Sequence, residues 1–260
     1  MMTIGGTAHI LMLVATIVII AVLMFVCSRV SPKWQSVMIH SAVLIGMVGI
    51  LFLHLTRRGT VFDPQNFFEQ MFQVCNFNFI LLPLCLIKKN ELGRQYLFFF
   101  SMFAAASTFV SYPSDVENSM WYSIVTLNFW IDHMMVVLVP MLMIAARRFK
   151  PRKEYVVPVL ICMLVYFLSS LVANIGFNGW SLDGPHNHSY TLGPGGIMVL
   201  EPLYKLCPIP FVYLLLTVPY IGGAFWLLAM AFKKYRVKNY YEPCIEKIGQ
   251  IKYNSDKKLN

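Results

Sequence analysis

Charge is what this sequence has least of. Asp, Glu, Lys and Arg together make up 13% of its 260 residues, about half the share usual in soluble domains. That shortage excludes an ordinary soluble fold. Acid is scarcer than base, with 12 Asp and Glu against 21 Lys and Arg. The basic excess still does not make a nucleic-acid interface, because the basic residues fall in short clusters between apolar runs and not along one face of a domain. Cysteine pairs at metal or redox spacing are missing as well. Cys27, Cys75, Cys85, Cys162, Cys207 and Cys244 include no CxxC, so neither a zinc site nor a disulfide framework is expected, and most read as small hydrophobes in buried helices. The chain has no internal repeat and no low-complexity tract. It also lacks the matched pair of short hydrophobic segments that marks many transporters. No Lys or Arg precedes the first apolar run. That run is also too long for a signal h-region, so it is expected to remain as a helix.

What the sequence has in abundance is apolar length. Hydrophobic residues make up 58% of the chain and aromatics 15%. Stretches near the roughly 20 residues needed to cross a bilayer occur seven times, at about 7–28, 36–56, 66–87, 95–112, 121–146, 155–175 and 208–232. The expected fold is therefore all-α, a polytopic membrane helix bundle of about seven transmembrane helices. With an external N-terminus, 18 of the 21 Lys and Arg fall on the cytoplasmic side, and Arg57, Arg58 and Lys205 are the exceptions. The positive-inside rule then gives an outer N-terminus and a cytoplasmic C-terminus. Residues 1–232 form the transmembrane domain, with a long outer loop over 176–207, and 233–260 form a basic tail suited to anionic cytoplasmic lipid.

Polar residues inside two of the apolar runs need an explanation. The third run contains QVCNFNF, residues 73–79. On an ideal helix Glu69, Gln73 and Asn76 lie within roughly 60° of one another, with Cys75 and Asn78 on an adjoining face. Such a surface does not face lipid. The fifth run, TLNFWIDHMMVV, carries Asp132 and His133 in mid-span with Asn128 and Thr126 nearby, and an intramembrane Asp belongs inside the bundle. Counted from the expected outer ends, Cys75 and His133 lie at similar depths of roughly 15–18 Å. This juxtaposition suggests a nucleophile and its base, Cys75 attacking and His133 taking the proton. Asn76, Asn78 and Asn128 would be candidate oxyanion donors, with Gln73, Asp132 and His54 supporting the cavity. The plainer alternative is that these side chains only hydrogen-bond between helices.

The long loop is dense in Gly and Pro, and its Trp180, Tyr190 and Tyr204 suit either a lid at the headgroup level or an ordinary interfacial loop. His186 and His188 have an HxH spacing, but two ligands in a loop are a weak metal signal. No metal and no cofactor is expected. Asn187-His188-Ser189 matches a glycosylation sequon, which has meaning only in a eukaryotic secretory pathway.

The stretches VCNFNFILLPLCLI, YLFFFSMFAAASTFVSYP and LNFWIDHMMVVLVPMLMI, followed by VANIGFNGW and CPIPFVYLL, resemble in matching order the YwaF-type integral membrane proteins of bacteria. Those are related to transmembrane protein 164 of animals. The resemblance implies an acyltransferase that moves a fatty acyl chain between phospholipids through a Cys and a His on separate membrane helices, positions that fall on Cys75 and His133. The implied partner is a membrane phospholipid or lysophospholipid, and the implied location is the cell membrane. Two other classes stay open on the residues themselves. One is a transporter or lipid-binding protein using Glu69, Asp132, His133 and His54 as a polar pathway. The other is a structural or partner-binding membrane subunit.

Overall fold

A computed structural model of the chain describes residues 3–58, 71–87, 90–110, 120–178, 187–195 and 200–238. Glu69, Trp180, His186 and Cys244 lie outside the described residues, as does the side chain of His54. Among the described residues the regular structure is all helical: α1 (Thr7–Arg29), α2 (Pro32–Arg58), α3 (Val74–Leu84), α4 (Glu91–Tyr96), α5 (Met102–Thr108), α6 (Ile124–Ala145), α7 (Val156–Asn178), α8 (Glu201–Leu206), α9 (Val212–Leu215) and α10 (Val218–Ala231). Five stretches among them are long and apolar enough to cross a bilayer: Thr7–Arg29, Pro32–Leu51, Thr126–Ala145, Lys153–Gly176 and Val212–Ala231. Large apolar side chains stand exposed along them, including Leu11, Ile17, Phe25, Val157, Val172 and Leu227. Water would penalise such a surface, and lipid does not. The chain is a multi-pass membrane protein.

The other two expected crossings differ from their sequence outline. In the described part of the run over 66–87, residues 71–87, the helix begins at Val74, with Gln73 as its N-cap in extended backbone. This helix has 11 residues, about 16 Å at 1.5 Å per residue, which is short of the hydrocarbon core. Residues 91–108 form one continuous helical run, but Leu97–Ser101 within it winds as a π-helix. The extra residue in the turn lets three consecutive phenylalanines bury in different directions. Phe98 meets Phe149 and Phe232, Phe99 meets Phe225, and Phe100 meets Phe167.

The tightest seam runs between α2 and α6 and depends on two glycines. A Cβ on Gly46 would lie 2.8 Å from Leu82 Cδ1 of α3 and 3.1 Å from Met135 Cβ of α6. Three helices therefore converge where one side chain is missing. One turn along, Gly49 faces Asp132 and Asn128, and Asn128 Nδ2 donates to the Gly49 carbonyl at 2.9 Å.

At the basic end of the bundle, α6 closes with Arg147 in the left-handed region, φ 57°. Arg147 N donates to Ile144 O and Arg148 N to Met143 O, at 2.8 and 2.9 Å. This is the two-bond helix ending usually built on glycine. Arg148 then ties back to α2 through Ser36 Oγ and the Pro32 carbonyl. Lys238 N donates to the Arg147 carbonyl, and Tyr235 donates its hydroxyl to Ile144 O. Burial pushes the Tyr235 hydroxyl pKa up, and Arg147 pulls it the other way.

Candidate functional site

Because α3 begins at Val74, the polar residues of QVCNFNF do not form a mid-helix stripe. They form a helix start. Cys75 is the second helical residue and is half-buried. Its place in the first turn puts the thiol beside outward-pointing backbone N–H groups and the positive end of the helix dipole.

The backbone just before α3 is not helical, and at membrane depth its carbonyls need donors. Hydroxyls supply them. Tyr166 of α7 donates to Met71 O at 3.2 Å, while Ser170 and Ser189 both donate to Phe72 O, at 3.0 and 2.6 Å. Ser189 N donates to Gln73 Oε1 at 2.9 Å, which turns the Gln73 amide nitrogen the other way. The Tyr166 hydroxyl lies within electrostatic reach of Ser189, Ser170 and Cys75.

The segment carrying Ser189 is wedged into the bundle. His188, Ser189 and Thr191 are buried, and Asn174 of α7 holds them by donating to His188 O and Thr191 Oγ1 and accepting from His188 N. Ser189 and Tyr190 both adopt positive φ, 55° and 59°. Tyr213 donates its hydroxyl to Tyr190 O, and Tyr204 packs edge-on to Tyr213. The described part of the long loop is thus a plug fixed over the start of α3.

Below the plug, an apolar groove of about 660 Å³ runs between α3, α4 and α7. Phe77, Ile80 and Leu84 form one wall, Val165 and Tyr166 another, and Tyr96 lines it from α4. Ile80, Leu84 and Val165 are exposed, so the groove opens on the lipid-facing surface. Met71, Phe72 and Ser169 line the end next to the turn that leads into Cys75.

His133 is buried on α6 with its ring against Phe129 and Phe109. Its Nδ1 is 2.7 Å from the Phe129 carbonyl. A carbonyl only accepts, so Nδ1 carries the proton and Nε2 is the basic nitrogen of the neutral ring. Asp132 Oδ2 lies 3.8 Å from Nδ1. Asp132 itself is 1% exposed, and neither of its oxygens has a hydrogen-bond partner among the described residues.

The equal depth expected for Cys75 and His133 needs correcting. Leu82 Cδ1 and Met135 Cβ both lie against Gly46. From there Cys75 is seven residues up α3 and His133 two up α6, which leaves an axial offset of about 7–8 Å. Two of the candidate oxyanion donors have other commitments. Asn78 Nδ2 bonds back to Val74 O and Cys75 O within its own helix, and Asn128 holds Gly49. Asn76 is buried in the first turn of α3. No group of three or more potential metal ligands occurs among the described residues. The sequence reading passed over Tyr166, Ser170 and Asn174. Their four-residue spacing within apolar α7 is the signal that marks them as one polar stripe.

A family model described as the TMEM164 family matches residues 4–233. The chain belongs to that family. The match covers all the described helices, so the plug, the groove and the α6 pair all lie on the family's own framework. No curated protein and no solved structure matches the chain.

Proposed function

We propose that this member of the TMEM164 family is a membrane acyltransferase that carries a fatty acyl chain between phospholipids on Cys75. The observation that carries the reading is the apolar groove ending beside the first turn of α3, where a thiol sits at a helix N-terminus. An acyl chain in the groove brings its ester carbonyl toward Cys75. The thiol passes its proton through a bridging water to His133 Nε2, the thiolate adds to that carbonyl, and the carbon–oxygen bond breaks. The acyl group remains as a thioester, while the departing lysolipid alkoxide takes a proton from His133. In the second half the acceptor hydroxyl gives its proton to His133 Nε2 and attacks the thioester, which releases the new ester and restores the thiolate. Asp132 stabilises the imidazolium that exists while His133 holds the proton within each half. The Gln73 amide nitrogen and the first-turn N–H groups of α3 are the donors for the oxyanion. The axial offset makes His133 a partner of the lipid oxygen or of a bridging water, and not a direct base to the thiol.

The accompanying topology has seven crossings, an outer N-terminus and a cytoplasmic C-terminus in the cell membrane. The plug then stands on the outer side and roofs the reacting end of the groove, with Tyr190 and Tyr204 at headgroup level.

A second reading has its own support in Asp132. A buried carboxylate without hydrogen-bond partners is costly, and it suits a transporter or lipid-binding protein that takes up a proton in mid-membrane. Reconstitution with isotopically labelled phospholipid and a lysolipid acceptor separates the two readings. The acyltransferase moves label to the acceptor and loses this activity on Cys75→Ala or His133→Ala. The transporter moves no label, and its transport depends on Asp132 but tolerates Cys75→Ala.

A further inference from the structure

A second cleft lies at the basic end of the bundle, far along α7 from the plug. It encloses about 430 Å³ between the segment leading into α7 and the end of α10. Lys150, Arg152 and Lys153 line one side and Lys233 the other, and Glu154 is the acid among the described lining residues. Ala229, Met230 and Phe232 make an apolar floor.

The cationic wall is held in place by buried polar contacts. Gln95, fully buried, donates to Lys150 O at 2.9 Å and accepts from Arg152 N at 3.1 Å. Lys150 Nζ reaches Tyr235 O at 3.2 Å. Glu91 lies 3.8 Å from Arg152 Nε but is shared with Arg94 at 3.3 Å. The Arg152 side chain remains 46% exposed. Lys153 and Lys233 are exposed with no acid of their own within ion-pair distance among the described residues. The wall therefore keeps a positive surplus. The cleft also sits where two membrane helices end, and the lipid-facing Val157, Ile161 and Leu227 continue along their flanks.

We infer that this cleft binds the phosphate of an anionic membrane phospholipid, with the acyl chains lying against α7 and α10. A phosphodiester matches the surplus charge, and basic pockets between membrane helices are suited to such headgroups. The apolar floor favours a lipid over free phosphate, because inorganic phosphate gains nothing from Met230 and Phe232.

The test uses the full chain in nanodiscs of zwitterionic lipid doped with phosphatidylglycerol, with bound lipid counted by native mass spectrometry. Lys153→Gln and Lys233→Gln should each weaken retention of the anionic lipid about fivefold, and the double variant about 25-fold. Lys33→Gln, at an exposed cation on the same end of the bundle, should change it less than twofold. A matched thermal midpoint shows that the variants fold. Equal retention of phosphatidylglycerol and phosphatidylcholine would overturn the site. So would a loss from Lys33→Gln as large as from Lys233→Gln, since the effect would then be general surface charge. Competition by millimolar inorganic phosphate as effective as by the lipid would assign the cleft to a free anion and overturn the lipid assignment.

Discussion

The two ends of α3 solve one problem with different chemistry. At the N-terminal end, Met71 and Phe72 leave carbonyls outside any helix, and neutral hydroxyls of Tyr166, Ser170 and Ser189 satisfy them. At the C-terminal end, Arg94 donates to Cys85 O and Ile87 O at 2.9 and 2.8 Å, and Asn90 donates to Leu84 O. A cation complements the negative end of the helix dipole and is tolerated near the basic surface. At the other end a cation would oppose the positive end of the dipole, and the donors there are uncharged. The comparison explains why the thiol stands where it does. The neutral end leaves the first-turn N–H groups as the nearest positive potential, and those groups face Cys75.

The largest effect should come from breaking the charged end. Arg94→Met removes the donors to the buried Cys85 carbonyl and the partly buried Ile87 carbonyl and should destabilise the protein by about 3–4 kcal/mol, read as a shift in chemical unfolding in mixed micelles. The neutral end should give way by less. Asn174→Ala leaves His188 and Thr191 with unmet buried groups and should cost about 2 kcal/mol. It should also free the plug, seen as faster proteolysis near His188. Ser170→Ala should cost about 1 kcal/mol, because Ser189 still donates to the same carbonyl. The smallest effect on folding belongs to the groove. Ile80→Trp fills open space beside an exposed position and should change stability by less than about 0.5 kcal/mol, while it blocks transfer of long acyl chains and spares short ones. If both ends of α3 lose equal stability, the contrast between charged and neutral anchoring fails.

Much of this architecture was legible in the sequence. The apolar runs outlined the long helices because lipid demands continuous hydrophobicity, and Asp132 announced the interior because a lone carboxylate has no place in hydrocarbon. The start of α3 was not legible. FFEQMFQVCNFNF is apolar enough to read as one membrane helix, yet Met71 and Phe72 are held out of helix by hydroxyls from α7 and from the loop, a tertiary cause that no local pattern carries. Asn78 and Asn128 looked like donors to a substrate because their partners, a carbonyl of the same helix and the bare backbone at Gly49, have no sequence signature. The α7 stripe of Tyr166, Ser170 and Asn174 was visible as a spacing, and its meaning emerged only when the loop was seen packed against it.

The most direct measurement of the central claim is the intact mass of the purified protein after incubation with a phospholipid donor in the absence of acceptor. The account predicts an adduct of one acyl mass that neutral hydroxylamine removes, that a lysolipid acceptor discharges, and that Cys75→Ala lacks. An adduct that persists in Cys75→Ala, or transfer of labelled acyl chain by that variant at the wild-type rate, would contradict it.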